Sequence, residues 1–200
     1  MLLKICDASS LVIDTLCDWA AERDAAVACF YCEFAAPQEQ SPTSILRSLL
    51  KQVVGKLRKV PAKIVHAFRD QKETTVGKGL GLGQVLEMLK DISYSRPTFI
   101  CIDALDECSA EYRARLLHSL EQILRTSPST RIFLTGRPHI RDEVGEHLAG
   151  RAVAVSITPT EDDIIRFLRA KLREDTRLDA MDASLEKDII KRIPEMAPKM

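Results

Sequence analysis

The sequence has 200 residues, of which 46% are hydrophobic, 29% charged and 5% aromatic, a composition that supports a globular core and excludes a disordered chain. Lys plus Arg and Asp plus Glu each total 29, so no net charge favours nucleic acid or anionic lipid as a partner. Apolar runs such as residues 98–102 are far shorter than the ~20 residues that span a membrane, so we expect a cytoplasmic protein with no membrane contact.

The first elements in the chain are a helix and a strand. Residues 9–23 place apolar side chains at helical spacing, which predicts an amphipathic helix. The apolar and aromatic run 26–34 follows and predicts a buried strand. A Ser-Pro pair then provides an N-cap and a proline suited to a first helical turn. Helices are predicted over residues 42–57 and 61–68, followed by a long polar loop over residues 69–83.

Two of the six cysteines, Cys29 and Cys32, have the CxxC spacing of metal and redox sites. No second CxxC or spaced histidine pair accompanies them, as a zinc site would require. Residues three apart on a strand also face opposite sides of the sheet. We therefore expect these thiols to be small buried hydrophobic groups and not a zinc or redox centre.

Helices and strands alternate along the second half of the chain. This alternation predicts an α/β fold with a mostly parallel sheet flanked by helices. The predicted elements are helices over residues 84–94, 111–125 and 140–148, strands over residues 98–102, 131–135 and 152–157, and finally two amphipathic helices over residues 161–171 and 184–193.

Three acids follow the predicted strand 98–102 within five residues: Asp103, Asp106 and Glu107. Open α/β sheets bind ligands at the carboxyl ends of their strands. Mg²⁺ prefers hard carboxylate oxygens, which Asp103 offers, and Asp106 and Glu107 are placed to orient or deprotonate an attacking water. The alternative is that these acids only cap the next helix. Capping explains one or two of the acids, whereas a phosphate-and-metal edge explains all three.

The predicted strand 131–135 ends in a second polar group. Thr135 supplies a hydroxyl and Arg137 a guanidinium, whose planar fork suits a phosphate. If this strand lies parallel beside the strand 98–102, both ends face the same crevice. The alternative is that Arg137 is an ordinary exposed loop arginine.

Together these motifs resemble the NACHT and related STAND signalling NTPases, especially forms abundant in filamentous fungi and the nephrocystin-like N-terminal P-loop module. The resemblance lies in the Walker B run Phe99–Cys108, the sensor-like strand Arg131–Pro138 and the entry to the helical lid, Val155–Ile164. It covers nearly the whole chain in order and spacing. It implies a truncated P-loop NTPase core over residues 1–158 and an incomplete helical lid over residues 159–200.

By this resemblance, ATP or GTP with Mg²⁺ is the cofactor. Asp103 would handle Mg²⁺, and Asp106 with Glu107 would form the catalytic acidic edge. Thr135 would contact the cofactor, and Arg137 would sense the γ-phosphate. Effector and repeat domains in the same chain are the partners of intact relatives.

The departure from the family is the Walker A loop, since no GxxxxGKS/T motif occurs in the sequence. Lys4 lacks the flanking glycine and hydroxyl residue, and the glycine-rich run 77–83 has no strand before it. Charge-assisted hydrogen bonds contribute ~1.5–3 kcal/mol each, against about 8 kcal/mol for micromolar binding. We therefore expect weak or no nucleotide binding and no hydrolase activity from the chain as given.

Three functional hypotheses follow. The first is a fragment of a nucleotide-dependent signalling switch, and the second is a non-catalytic protein-interaction module on a degenerate NTPase fold. The third, a DNA-binding domain, has no basic stripe or recognition helix to support it. In the family, a first strand lies beside the strands 131–135 and 152–157, and here only residues 2–6 could replace it. If they do not, both strand edges stay open to a protein partner or to self-association.

Overall fold

A computed structural model describes residues 6–34, 40–73, 79–148, 150–174 and 183–196. The chain divides into two compact units, Met1–Ala152 and Val153–Met200. Within the described ranges, no helix has the length and apolar character needed to cross a membrane.

The first unit is built on a parallel sheet whose strands are neighbours in chain order, which confirms the predicted α/β fold class. Parallel strands need long crossover connections, and here helices provide them. The strands are β1 (Ala26–Tyr31), β2 (Thr98–Asp103) and β3 (Thr130–Leu134), and the helices are α1 (Cys6–Ala21), α2 (Pro42–Gly55), α3 (Ala62–Glu73), α4 (Leu82–Ser95), α5 (Ala110–Thr126) and α6 (Arg141–His147).

The core lies around β2, the middle strand. Ile100 and Ile102 are fully buried on one face, in a cluster with apolar side chains of α2, α4 and α5. On the opposite face, Phe99 meets Trp19 of α1 edge-to-face, with ring centroids 5.3 Å apart. Burial on both faces explains why β2 is a continuous apolar run and not an alternating one.

The second unit contains helices α7 (Glu161–Glu174) and α8 (Ala183–Met196), which pack against each other. Ile164 and Leu168 are buried, one turn apart on α7. These residues belong to the apolar stripe that the sequence predicts for this helix. The unit begins at Val153, whereas the sequence places the boundary after residue 158.

The predicted strand over residues 152–157 is wrong. These residues form no strand, and Val153, Val155 and Ile157 are 91%, 78% and 79% exposed. The alternating pattern is real, but a strand forms only where a neighbouring strand completes its backbone hydrogen bonds. The expected neighbour was a first strand at residues 2–6. Residue 6 belongs to α1, and residues 2–5 lie outside the described residues.

The predicted loop over residues 69–83 is too long. Helix α3 continues to Glu73, and α4 already begins at Leu82. Four of the five residues 69–73 are Arg, Gln, Lys and Glu, which are good helix formers, so a polar composition does not by itself indicate a loop.

The outer edge of β1 is closed by a side chain. The Cys29 N–H donates to Gln52 Oε1 at 3.0 Å, and Gln52 Nε2 donates to the Cys29 carbonyl at 2.7 Å. The amide of Gln52, from α2, thus bonds Cys29 as the peptide of an adjacent strand would. The outer edge of β3 has no strand beside it within the described chain. Of the two outer edges, β1 is therefore the one with a built-in block against strand addition.

We expect Gln52→Ala to lower the free energy of unfolding by about 1–2 kcal/mol, because it leaves the Cys29 N–H and carbonyl without their partner. Urea denaturation measures the change. The exposed neighbour Lys51→Ala is the matched control and should change stability by less than about 0.5 kcal/mol. Equal stability of the two variants would show that Gln52 does not support the edge.

Candidate functional site

Asp103 is the last residue of β2 and lies at the carboxyl edge of the sheet. Its strand pairs in parallel with both β1 and β3, so the residue occupies the centre of this edge. Its side chain is buried, with the residue only 3% exposed. A carboxylate in such a position needs polar partners, because burial removes its water.

Thr135, directly after β3, supplies that partner. Its hydroxyl donates to Asp103 Oδ1 at 2.5 Å and accepts the Ala104 N–H at 2.9 Å. Backbone bonds fix the same junction: the Thr135 N–H donates to the Ile102 carbonyl at 3.0 Å, and the Leu105 N–H donates to the Thr135 carbonyl at 2.9 Å. The ends of β2 and β3 are therefore joined by both side-chain and backbone hydrogen bonds.

The chain turns sharply after Asp103. Ala104 has φ 53° and ψ 47°, and it is the single non-glycine residue with positive φ among those described. This left-handed conformation is unfavourable for a residue with a Cβ, and such strain is concentrated at functional sites. A 3₁₀ turn, Leu105–Glu107, follows, which we call the acid turn. Leu105 is fully buried and anchors the turn in the core.

The acid turn binds Arg137. Arg137 Nε lies 3.3 Å from Asp106 Oδ2, its Nη2 lies 2.9 Å from Glu107 Oε1, and its backbone N–H donates to Asp106 Oδ1 at 3.2 Å. The Asp106 side chain is 3% exposed, whereas that of Arg137 is 47% exposed. The guanidinium thus covers a buried acid while keeping one side open to solvent.

Gly136 allows this close approach. A Cβ on this residue would lie 2.5 Å from Ile140 Cδ1 and 3.4 Å from Asp106 Oδ1. A side chain here would push against Ile140 and crowd the carboxylate that Arg137 contacts.

The structure brings all the site residues named from the sequence to one edge. Asp103 is hydrogen-bonded to Thr135, and Arg137 contacts both Asp106 and Glu107. The glycine-rich run 77–83 is described only from residue 79. There the Leu80 carbonyl accepts from Arg47 Nε of α2 at 2.7 Å, so this part of the run packs on a helix.

Sequence reasoning missed a pair of thiols at the same edge. Cys32 Sγ and Cys108 Sγ lie 3.2 Å apart, and both residues are buried. Their hydrogen bond raises the pKa of Cys32 and lowers the pKa of Cys108. The sequence does contain a signal for this pair. Cys32 directly follows β1, and Cys108 directly follows the turn after the neighbouring strand β2. The CxxC spacing suggested Cys29, and not Cys108, as the partner of Cys32.

Arg113 was also missed. It is 9% exposed on α5, its Nε lies 2.7 Å from Glu143 Oε2, and its Nη1 donates to the Cys108 carbonyl at 3.0 Å. It therefore fixes Cys108, the residue directly after the acid turn. An arginine within the apolar face of a predicted helix was the signal that could have identified it.

Comparison with known proteins assigns the sequence to a family. The sequence model of the nephrocystin 3 N-terminal family matches residues 8–137, which run from α1 through the Arg137 loop. A Walker-type ATPase of Pyrococcus abyssi is similar in structure, with 16% identity and a TM-score of 0.47 over 82% of this chain and 51% of that chain. This chain therefore spans about half the length of that ATPase. No curated protein matches the sequence.

The family match extends over more than half of the chain and includes Asp103, Asp106, Glu107, Thr135 and Arg137. It confirms the expected resemblance to the nephrocystin-like N-terminal P-loop module. The chain therefore belongs to the nephrocystin 3 N-terminal family and has a P-loop NTPase-like α/β fold.

Proposed function

We propose that this chain carries the Walker B and sensor elements of a nucleotide-dependent signalling switch of the NACHT and STAND type. The observation that supports this most is the meeting of Asp103, Thr135 and Arg137 at one carboxyl edge of two parallel strands. Ligands of open α/β sheets bind at such edges. A buried carboxylate, a hydroxyl and a solvent-facing guanidinium suit a phosphate with its metal ion better than an apolar ligand.

Asp103 and Thr135 are the residues that would hold Mg²⁺, because both present hard oxygens. Within the described part of the chain, no three His, Cys, Asp or Glu side chains converge as a metal site. Phosphate oxygens and water would therefore supply most of the ligands, which is how Mg²⁺ is usually held at phosphate sites. When bound, the ion supplies charge neutralisation at the phosphates.

Arg137 would change partners when a phosphate arrives. It now donates to Asp106 and Glu107, and its side chain is 47% exposed. A phosphate offers the guanidinium two acceptor oxygens on one group, in place of the two separate carboxylates that it contacts here. When Arg137 leaves the acid turn, Asp106 and Glu107 would lie free beside the phosphate, where they could orient a water molecule.

The sequence lacks the lysine and glycine-rich loop that normally cradle the phosphates, so nucleotide affinity should be low. Loss of ~3 kcal/mol from a micromolar site raises the dissociation constant to about 100 μM or more. In calorimetry, we therefore expect Mg-ATP and Mg-GTP to bind the 200-residue chain with dissociation constants above about 100 μM. A dissociation constant near 1 μM would contradict the proposed role of the missing loop.

The residual binding tests the site itself. In an amide NMR titration at millimolar Mg-ATP, the largest shifts should lie at residues 103–107 and 135–137, and Arg137→Gln should abolish them. Arg141→Gln is the matched control, because Arg141 is also exposed and follows in the same segment. Shifts elsewhere, or shifts that survive Arg137→Gln, would refute a nucleotide edge.

The second candidate is a non-catalytic interaction module. The observation that favours it is the pairing of Arg137 with both Asp106 and Glu107, which gives the guanidinium two carboxylate partners without a ligand. Under this alternative, Asp103→Ala and Arg137→Ala leave partner binding unchanged. Mg-ATP would then have no effect on the unfolding temperature of either variant or of the original chain.

A further inference from the structure

Two buried thiols meet beside the acid turn. Cys32 lies directly after β1 and Cys108 directly after the acid turn, and their sulfur atoms are 3.2 Å apart. We propose that Cys32 and Cys108 form a reversible disulfide, so that oxidation covalently ties the end of β1 to the acid turn.

The backbone already holds both cysteines in place. The Cys32 N–H donates to the Asp103 carbonyl at 3.0 Å, which continues the β1–β2 pairing past the strand end. The Cys108 N–H donates to the Leu105 carbonyl at 3.2 Å, and the Cys108 carbonyl accepts from Arg113. A disulfide bond is about 2.05 Å long. The sulfurs therefore need to approach by only about 1 Å from positions that are fixed on both sides.

Cys17, Cys29 and Cys101 are placed differently. Cys29 lies at the outer edge of β1, where its Sγ is 3.7 Å from Gln52 Oε1. Cys101 is buried on β2, and Cys17 is exposed on α1. Although Cys29 and Cys32 have the CxxC spacing, Cys32 points to a cysteine 76 residues away instead. The geometry thus selects one pair among the described thiols.

Hydrogen peroxide is a sufficient oxidant. One thiol, as its thiolate, attacks a peroxide oxygen, the O–O bond breaks, and a sulfenic acid and one water form once a proton is taken up. The second thiol then attacks the sulfenic sulfur, the S–S bond forms, and the S–O bond breaks to release a second water. In sum, two thiols and one peroxide give one disulfide and two waters. A dithiol reductant reverses the link by exchange.

The link constrains the acid turn. Cys108 follows Glu107 directly and lies two residues after Asp106, so tying it to β1 restrains both carboxylates. It also closes a loop across 76 residues of sequence, which reduces the conformational freedom of the unfolded chain. The redox site stands apart from the proposed nucleotide function, since link formation and stability are both measured without nucleotide.

The test oxidises the reduced protein with hydrogen peroxide and maps its peptides without reduction. We expect a linked peptide pair containing Cys32 and Cys108, a loss of two hydrogen atoms from the intact mass, and a rise of about 5–10 °C in the unfolding temperature. Dithiothreitol should reverse all of these. Cys29→Ser is the matched control and should form the same link, whereas Cys108→Ser should not.

A different product overturns the proposal. A Cys29–Cys32 link, sulfinic acid at either residue without a link, or no reaction would each refute the pair. Peptide mapping of the unsubstituted chain is decisive by itself, so the test holds even if a serine variant fails to fold.

Discussion

Replacing Leu105 by alanine should lower the free energy of unfolding by about 2–5 kcal/mol, the range for deleting a buried leucine side chain. Leu105 is fully buried although it lies in a short turn between acids. Its side chain belongs to the same apolar cluster as Ile102 and Leu116. Truncation would leave a cavity beneath the acid turn that rigid neighbouring strands and helices cannot fill. Urea denaturation with a two-state fit measures the loss.

The matched control is Leu11→Ala on α1, where the leucine is 68% exposed. That substitution removes the same atoms without creating a cavity, and the change should stay within about 0.5 kcal/mol. If the two variants lose similar stability, Leu105 does not anchor the turn. Amide exchange at Asp106 and Glu107 adds a local measure, since a loosened turn exchanges faster even below the unfolding transition.

Most of the fold could be predicted because its signals are local. The apolar run at residues 98–102 and the helical spacing around it identify β2 and its crossovers without any tertiary information. Alternation of strands with helices then requires parallel pairing. The confirmed α/β class rests on these two local patterns.

The wrong elements depended on non-local or ambiguous information. Residues 152–157 have the alternation of a strand, but whether they pair depends on another strand far away in sequence. Residues 69–73 are polar, and a polar composition is compatible with both a helix turn and a loop. Neither case could be decided from the segment itself.

The candidate site was predictable in its members but not in its contacts. Asp103, Thr135 and Arg137 can be predicted because they lie at or just after the ends of two strands, and the ends of parallel neighbours lie at the same edge of the sheet. The sequence does not reveal that Arg137 pairs with the acid turn, because that depends on a turn geometry set by the left-handed Ala104. The positions of Cys32 and Cys108 after neighbouring strands place them near the same edge, but the 3.2 Å contact between their sulfur atoms is known only from the structure.

Thr135→Val should destabilise the protein by about 2–4 kcal/mol, although valine has nearly the same shape as threonine. The hydroxyl is the donor to Asp103 Oδ1 at 2.5 Å and the acceptor for the Ala104 N–H. Hydrogen bonds to charged groups contribute ~1.5–3 kcal/mol, and a stranded buried donor adds a desolvation penalty. Thermal and urea unfolding measure the loss, with Thr135→Ser as the control that keeps the hydroxyl.

The serine variant loses only a methyl group, so it should cost about 1 kcal/mol or less. A double-mutant cycle with Asp103→Asn then separates the carboxylate from the rest of the junction. If the penalty of Thr135→Val comes from an uncompensated buried charge, it should shrink in the Asp103→Asn background, because an amide tolerates burial better than a carboxylate. If the penalty is unchanged, the loss of stability comes entirely from the lost hydrogen bond to the Ala104 N–H. The hydroxyl would then not stabilise the Asp103 carboxylate.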